Sequence, residues 1–172
     1  MRLATKLIHN GSEIEKNTGA LSIPIYQVST FHQEDIEKPQ EYEYSRSGNP
    51  TRKALEETIA FLEDGKKGFA FSSGMAAISS VLSIFSAGDN IIMSNDIYGG
   101  TYRIVTSFFN RFNLEVSFVD TTNLIMVEKS IKPNTKAIFI ETPSNPLLKI
   151  TDIRGIVEIA KKHNLITIID NT

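Results

Sequence analysis

At 172 residues, 41% hydrophobic and 22% charged, the chain can bury a core and is too apolar for a disordered segment. A net charge of −2 excludes a basic footprint for nucleic acid. The absence of cysteine excludes a disulfide frame, a cysteine zinc site and a thiol nucleophile. Neither a secretory leader pattern nor an apolar run of about 18 residues is present, so no membrane partner is expected and the cytosol is the expected location. His9, His32 and His163 stand too far apart for metal-ligand spacing, and no metal site is expected.

Residues 1–40 show no sustained period. Thr18-Gly19-Ala20 and Pro24-Ile25-Tyr26 carry turn and extended signals, and 34–38 is a charged patch. A stretch of that length without a core of its own either packs on something else or is disordered. Leu21, Ile23, Ile25, Val28 and Phe31 argue against disorder, so it reads as an arm that packs on another surface, such as another subunit. Tyr44 to Thr51 is a loop that ends in a helix start, with Asn49 as cap and Pro50 at the first helical position. The helix is predicted over 50–64, with an apolar face of Leu55, Thr58, Ile59 and Leu62, and Gly65 stops it.

From there strands and helices alternate. Strands are predicted at 68–72, 90–94, 114–119, 135–141 and 165–170. Helices are predicted at 74–85, 101–112, 123–131 and 152–162. This alternation implies a mostly parallel sheet with helices on both faces.

Ligands in such sheets bind beyond the carboxyl ends of the strands. The residues there are Ser73, Gly74 and Met75 after the first predicted strand, and Asn95, Asp96 and Tyr98 after the second. Glu141, Thr142, Ser144 and Asn145 follow the fourth, and Asp170 and Thr172 the fifth. Phe69-Ala70-Phe71-Ser72-Ser73-Gly74-Met75 reads either as an ordinary strand-to-helix turn or as a turn whose free N–H groups and helix dipole receive an anion. Tyr98 reads as a packing residue or as a platform for a ring. Asp170 reads as a helix cap or as a partner for a ring nitrogen. Arg46 reads as a solvated charge or a phosphate ligand, and Arg103 as a surface residue unless its helix start faces the site. Neither GxGxxG nor GxxxxGK[ST] occurs, which disfavours dinucleotides and nucleoside triphosphates and leaves a small phosphorylated aromatic cofactor as the better fit.

Five motifs, in order and at plausible spacing, carry a resemblance. They are Tyr44-Ser45-Arg46-Ser47-Gly48-Asn49-Pro50-Thr51, Ser72-Ser73-Gly74-Met75-Ala76-Ala77, Tyr98-Gly99-Gly100-Thr101, Glu141-Thr142-Pro143-Ser144-Asn145-Pro146 and Asp170-Asn171-Thr172. Together they resemble the cystathionine γ-synthase/γ-lyase family, the Cys/Met-metabolism group of pyridoxal 5'-phosphate (PLP) enzymes. The resemblance implies the type I fold of PLP-dependent transferases, with 1–50 as an N-terminal arm and subunit-contact loop and 51–172 as the first part of the large cofactor domain. It implies that Ser73, Gly74 and Met75 hold the cofactor phosphate, and that Tyr44 and Arg46 reach the phosphate of a neighbouring subunit in a homotetramer built as a dimer of dimers. Tyr98 would stack on the pyridine ring and help proton transfer, Asn145 would bond the phenolic oxygen, and Asp170, beside Thr172, would pair with the ring nitrogen. Arg46, Tyr98 and Arg103 would meet the small amino-acid substrate.

The family's Schiff-base lysine lies in a Ser/Thr-rich stretch further on. Lys149, Lys161 and Lys162 match no such motif, so the 1–172 chain alone is expected to be inactive. The resemblance also implies further sheet strands after Asp170, without which the sheet would have a gap and exposed edges, so the 1–172 chain alone is expected to be poorly stable. The implied reaction makes or cleaves a carbon–sulfur bond of a cystathionine-type substrate, as a γ-synthase or a β/γ-lyase. O-acylhomoserine sulfhydrylase, methionine γ-lyase and an inert truncated fragment stand as alternatives.

Overall fold

The computed structural model describes residues 2–8, 18–35 and 37–172; His9 and Ile36, both within stretches read above, lie outside the described residues. The chain divides into two compact units, Met1–Ser72 and Ser73–Thr172.

The second unit is built on a four-stranded, all-parallel sheet. Its strands are β1 (Asn90–Ser94), β2 (Glu115–Val119), β3 (Thr135–Glu141) and β4 (Ile166–Asp170), in the order β2-β1-β3-β4. The helices of this unit are α3 (Gly74–Leu82), α4 (Gly99–Ser107), α5 (Leu124–Lys129) and α6 (Ile153–Lys162), numbered after two helices of the first unit. Successive side chains of a strand point to opposite faces, and both central strands use this to bury both faces. Ile91, Met93, Ala137 and Phe139 join Leu82 of α3 and Val105 of α4 in one core. Ile92, Ile138 and Ile140 join Val127 of α5 with Ile156 and Ala160 of α6 in the other. Each fully buried Leu, Ile or Val contributes about 1.5–3 kcal/mol. Polar side chains inside the sheet are paired: Thr135 Oγ1 donates to Asn90 Oδ1 at 2.9 Å, and Asn90 Nδ2 to Ser117 Oγ at 3.0 Å.

Three of these four helices start where a short polar side chain caps them, and α4 starts at Tyr98 without a side-chain cap. Ser73, Asn123 and Asp152 accept from amides of the first turns of α3, α5 and α6. Gly155 lets α6 approach Leu124 of α5, since a Cβ there would stand 2.4 Å from Leu124 Cδ1. The helix predicted over 101–112 is two pieces. α4 ends at Ser107, and a 3-10 turn follows at Phe109–Phe112 and closes on Asn113 in the left-handed conformation (φ 59°).

The first unit holds α1 (Leu3–Ile8) and α2 (Pro50–Leu62), and none of its described residues is buried. An antiparallel bridge joins Thr30 to Tyr44, and the rings of Phe31 and Tyr42 stand 5.5 Å apart. Asn49 caps α2 by accepting from Thr51 N, and its Nδ2 donates to Tyr26 O at 3.0 Å. Thr51 Oγ1 donates to Pro24 O and accepts from Tyr26 N, so the start of α2 stitches the extended segment around Tyr26 in place. The predicted apolar face of α2 is open in the structure, with Leu55 53% and Ile59 48% exposed.

The strand expected at 68–72 is not a strand. Phe69 and Phe71 are exposed, Ala70 N donates to the Glu56 carboxylate instead of to a ladder, and the sheet does not include the segment. An apolar run becomes a strand only when a neighbour takes up its backbone groups. α1 was not anticipated, because six residues are too few to show a period. Among the described residues no helix is long and apolar enough to cross a membrane.

Candidate cofactor site

The carboxyl ends of β1, β3 and β4 open onto one cavity of about 640 Å³, lined by Ser73, Gly74, Met75, Tyr98, Asn145 and Asp170 together with Thr172 and Glu141. Three groups of elements build it. The first is the start of α3. Ser73 Oγ accepts from Ala76 N at 3.1 Å and fixes the first turn. The amides of Gly74 and Met75 make no hydrogen bond among the described residues, and a Cβ on Gly74 would meet nothing within 4 Å. Two free N–H groups at the positive end of a helix, with open space before them, suit an anion.

The second element is the Tyr98 loop between β1 and α4. Tyr98 sits just before α4 with non-helical backbone (φ −45°, ψ 132°), and the residue is about half exposed. Gly100 lies buried beneath it. A Cβ there would stand 2.5 Å from Tyr98 Cε1 and 2.8 Å from Met75 Sδ, so glycine allows the ring and the methionine their present places.

The third is the turn after β3 with the end of β4. Thr142–Pro143 and Asn145–Pro146 are cis peptides. Thr142 N donates to Asp170 O, and Asn171 Nδ2 to Thr142 O, which ties this turn to the end of β4. Asp170 Oδ1 accepts from both the amide (3.1 Å) and the hydroxyl (2.7 Å) of Thr172, while Oδ2 has no hydrogen bond among the described residues. One oxygen is held and the other is free, which suits a carboxylate that receives a cationic N–H.

Not every expected residue lines the cavity. Arg103 is exposed, one turn into α4, and is not among the lining residues. Tyr44 and Arg46, expected at the phosphate of a neighbouring subunit rather than in this cavity, belong to the first unit, where the Arg46 guanidinium lies 4.3 Å over the Tyr44 ring. The backbone that carries them is braced by Arg52, which donates to the carbonyls of Ser45, Arg46 and Ser47. Lys149 is engaged elsewhere, 3.7 Å from Asp96 and 3.5 Å from Asn95 Oδ1.

Residues 4–172 match the family model described as Cys/Met metabolism PLP-dependent enzyme. The chain belongs to that family. This Cys/Met metabolism protein is 55% identical over 170 residues to a cystathionine beta-lyase of Lactococcus lactis subsp. cremoris, covering 99% of the chain and 45% of that relative. It is 53% identical over 172 residues to a cystathionine gamma-lyase of Bacillus subtilis, covering 100% of the chain and 45% of the relative. To a cystathionine gamma-synthase of Haemophilus influenzae it is 48% identical, covering 98% and 46%. The crystal structure of cystathionine gamma-lyase from Lactobacillus plantarum, complexed with L-serine, superposes with a TM-score of 0.96 at 54% identity, over 100% of this chain and 45% of that one. The chain therefore spans a little under half the length of each of these relatives. The parallel sheet with helices on both faces is the type I fold expected from the resemblance, over the span present.

One residue of this Cys/Met metabolism protein was quoted in a motif but given no role by sequence reasoning. Glu141 is buried, and its two carboxylate oxygens accept from Tyr98 N and Asn145 N. The signal available was a charged residue that closes the apolar run Ala137-Ile138-Phe139-Ile140 of β3.

The residues present fit pyridoxal 5'-phosphate in kind. Free amides at a helix start suit the phosphate, and an aromatic ring, an amide side chain and a carboxylate line the same cavity.

Proposed function

We propose that this chain supplies the phosphate-binding and ring-binding walls of a PLP-dependent enzyme that makes or cleaves a carbon–sulfur bond of cystathionine-type amino acids. The observation that carries the reading is the convergence of α3's free amides, the Tyr98 ring and the half-free Asp170 carboxylate on one cavity. When bound, the cofactor supplies an electron sink for charge that develops next to its imine carbon.

In this reading Gly74 and Met75 bind the phosphate through their amides, with Ser73 beside them. Tyr98 covers the ring and holds its plane, which keeps the bond to be broken in a productive orientation. Asn145 donates to the phenolic oxygen. Asp170 Oδ2 receives the ring N–H and favours its protonated form, because an opposite charge at contact distance stabilises the cation. The tie from Thr172 to Oδ1 keeps that carboxylate aimed. Tyr44 and Arg46 serve the phosphate of a neighbouring subunit in a tetramer, and Arg46, Tyr98 and Arg103 meet the substrate carboxylate or amine. The open apolar residues of the first unit support the subunit-contact role of the arm. The names of the relatives support a β-lyase, γ-lyase or γ-synthase activity. Residues 1–172 by themselves are inactive in this reading. Among the described residues no lysine lines the cavity; Lys149 stands beside Asp96 and Asn95, and Lys162 bonds Glu128 at the end of α6.

The test is a PLP titration of the whole gene product, followed by product analysis with cystathionine and with O-acylhomoserine. A saturable visible absorption band, and pyruvate or 2-oxobutyrate from cystathionine, are expected for a lyase. Cystathionine formed from O-acylhomoserine and cysteine is expected for a synthase. No band at excess PLP overturns the proposal.

A further inference from the structure

Glu141 occupies an unusual position for a carboxylate. It is 6% exposed, and among the described residues no lysine, arginine or histidine pairs with it. Two backbone amides satisfy it instead. Tyr98 N donates to Oε2 at 2.5 Å and Asn145 N donates to Oε1 at 3.0 Å. These amides belong to two different loops, and each loop carries one of the side chains assigned above to the cofactor ring, Tyr98 to its face and Asn145 to its phenolic oxygen. The side chain therefore sets the separation of the two loops.

The seat of Glu141 is itself fixed. Its own N–H donates to Ser94 Oγ at 3.3 Å. Behind Ser94 runs a buried chain of hydroxyls, Ser94 to Thr121 at 2.9 Å and Thr121 to Thr151 at 2.8 Å, and Thr151 N donates to Thr142 Oγ1 at 3.1 Å. This chain ties the ends of β1, β2 and β3 to one another. Beside it Ser144 Oγ donates to Asp96 Oδ2 at 2.5 Å, a second link between the same two loops.

We propose that Glu141 is a positioning residue for the cofactor pocket, clamping the Tyr98 loop and the Asn145 loop at the spacing the ring requires. The inference rests on reading the cavity as a PLP site. The chemistry explains why glutamate stands here. A carboxylate offers two acceptor oxygens, one for each amide. Glutamine has the same length but offers one acceptor and turns an NH2 donor toward the second amide. Aspartate keeps both acceptors but is one methylene short.

The test uses the whole gene product with Glu141→Gln, Glu141→Asp and, as a measure of plain destabilisation, Val127→Ala in the core between the sheet and α6. Three quantities are read: the dissociation constant for PLP, the visible circular dichroism per bound PLP, and amide exchange of Tyr98 and Asn145 in cofactor-free protein relative to the amides of β2. A charge-assisted hydrogen bond is worth about a factor of ten or more. E141Q is therefore expected to speed exchange of at least one of the two amides about tenfold, to weaken PLP about tenfold, and to change the dichroism per bound PLP. E141D is expected to move all three in the same direction. V127A should lower the unfolding temperature and leave the dichroism per bound PLP unchanged. If wild-type protein binds PLP and E141Q matches it in dichroism and relative exchange, the clamp is refuted and the cofactor reading stands. A V127A protein that reproduces the E141Q changes refutes the clamp as well. If wild-type protein binds no PLP, the cofactor reading falls and takes the clamp with it.

Discussion

Gly99 and Gly100 are neighbours in the first turn of α4, and the structure gives them opposite fates on substitution by alanine. A Cβ on Gly100 would stand 2.5 Å from Tyr98 Cε1, 3.1 Å from Tyr98 Cδ1 and 2.8 Å from Met75 Sδ. Carbon atoms in contact stand about 3.5–4.0 Å apart, so the Tyr98 ring would have to withdraw by about 1 Å. The thioether of Met75 can turn aside. The ring can only pivot, because its backbone is tied to Glu141 on one side and continues into α4 on the other. For stability, alanine gains up to about 1 kcal/mol over glycine in a helix interior and less in the first turn. Overpacking costs about 1–3 kcal/mol, so the net loss is about 1–2 kcal/mol. For function, a misplacement of about 1 Å is worth about a hundredfold. Gly100→Ala should therefore unfold at slightly lower urea yet lose about two orders of magnitude in turnover, with a weaker PLP band. Gly99→Ala is the control. Its Cβ would meet only Arg103 Nη1, at an ordinary 3.7 Å, so stability and turnover should stay within about twofold of wild type. If the two variants behave alike, or if G100A turns over as wild type does, the steric reasoning is wrong.

Two further predictions concern stability. In Gly155→Ala the new Cβ would stand 2.4 Å from Leu124 Cδ1 and 3.1 Å from Asp152 Oδ2; the overpacking outweighs the helix-propensity gain, and thermal unfolding should show a loss of about 1 kcal/mol. In a Leu124→Ala background the same change should turn stabilising, and a G155A that stabilises with Leu124 present sinks the argument. Glu128 accepts from Lys162 Nζ at 2.7 Å and His163 Nε2 at 3.1 Å, and the Lys162 bond, then the His163 bond, hold its carboxyl below the usual carboxylate range. A depressed folded value stabilises above the unfolded value of about 4.3, and that stabilisation is lost as pH falls through the lower folded value. Glu128→Gln should therefore flatten the fall in unfolding temperature below about pH 5. An acid limb with the same slope in both proteins would contradict the assignment.

What the chain made legible depended on whether the cause lay nearby in sequence. The bounds of β1 and β3 came out as read, because Gly88, Pro133 and Pro143 punctuate runs that bury both faces. The caps Ser73, Asn123 and Asp152 lie at or beside the predicted helix starts for the same local reason. The rule that ligands sit beyond strand ends pointed to Tyr98, Asn145 and Asp170, which follow β1, β3 and β4 and line the cavity; Ser73, Gly74 and Met75 line it too, although the strand expected before them does not form. Phe69 and Phe71 misled, because an apolar run carries no information on whether a neighbour exists to pair with it. Leu55 and Ile59 show the same limit for a helix: their spacing marks a face that could be covered but not what covers it. Glu141 escaped because its partners are backbone amides, and an amide has no residue letter; one of them, at Tyr98, is also far away in sequence.

The strand order has a consequence in time. β1 lies between β2 and β3, and β3 reaches it across the longer span of chain. A ribosome adding about 5–20 residues per second takes about 3–10 s to travel from Asn90 to Glu141. Closing a short loop takes well under a microsecond. Throughout those seconds Asn90-Ile91-Ile92-Met93-Ser94, which carries no charge, has one backbone edge open. Such a segment is a template for pairing with another nascent chain. Crowded polysomes and slow codons between β2 and β3 are thus the conditions under which this protein would be lost to aggregation, before any cofactor could reach it.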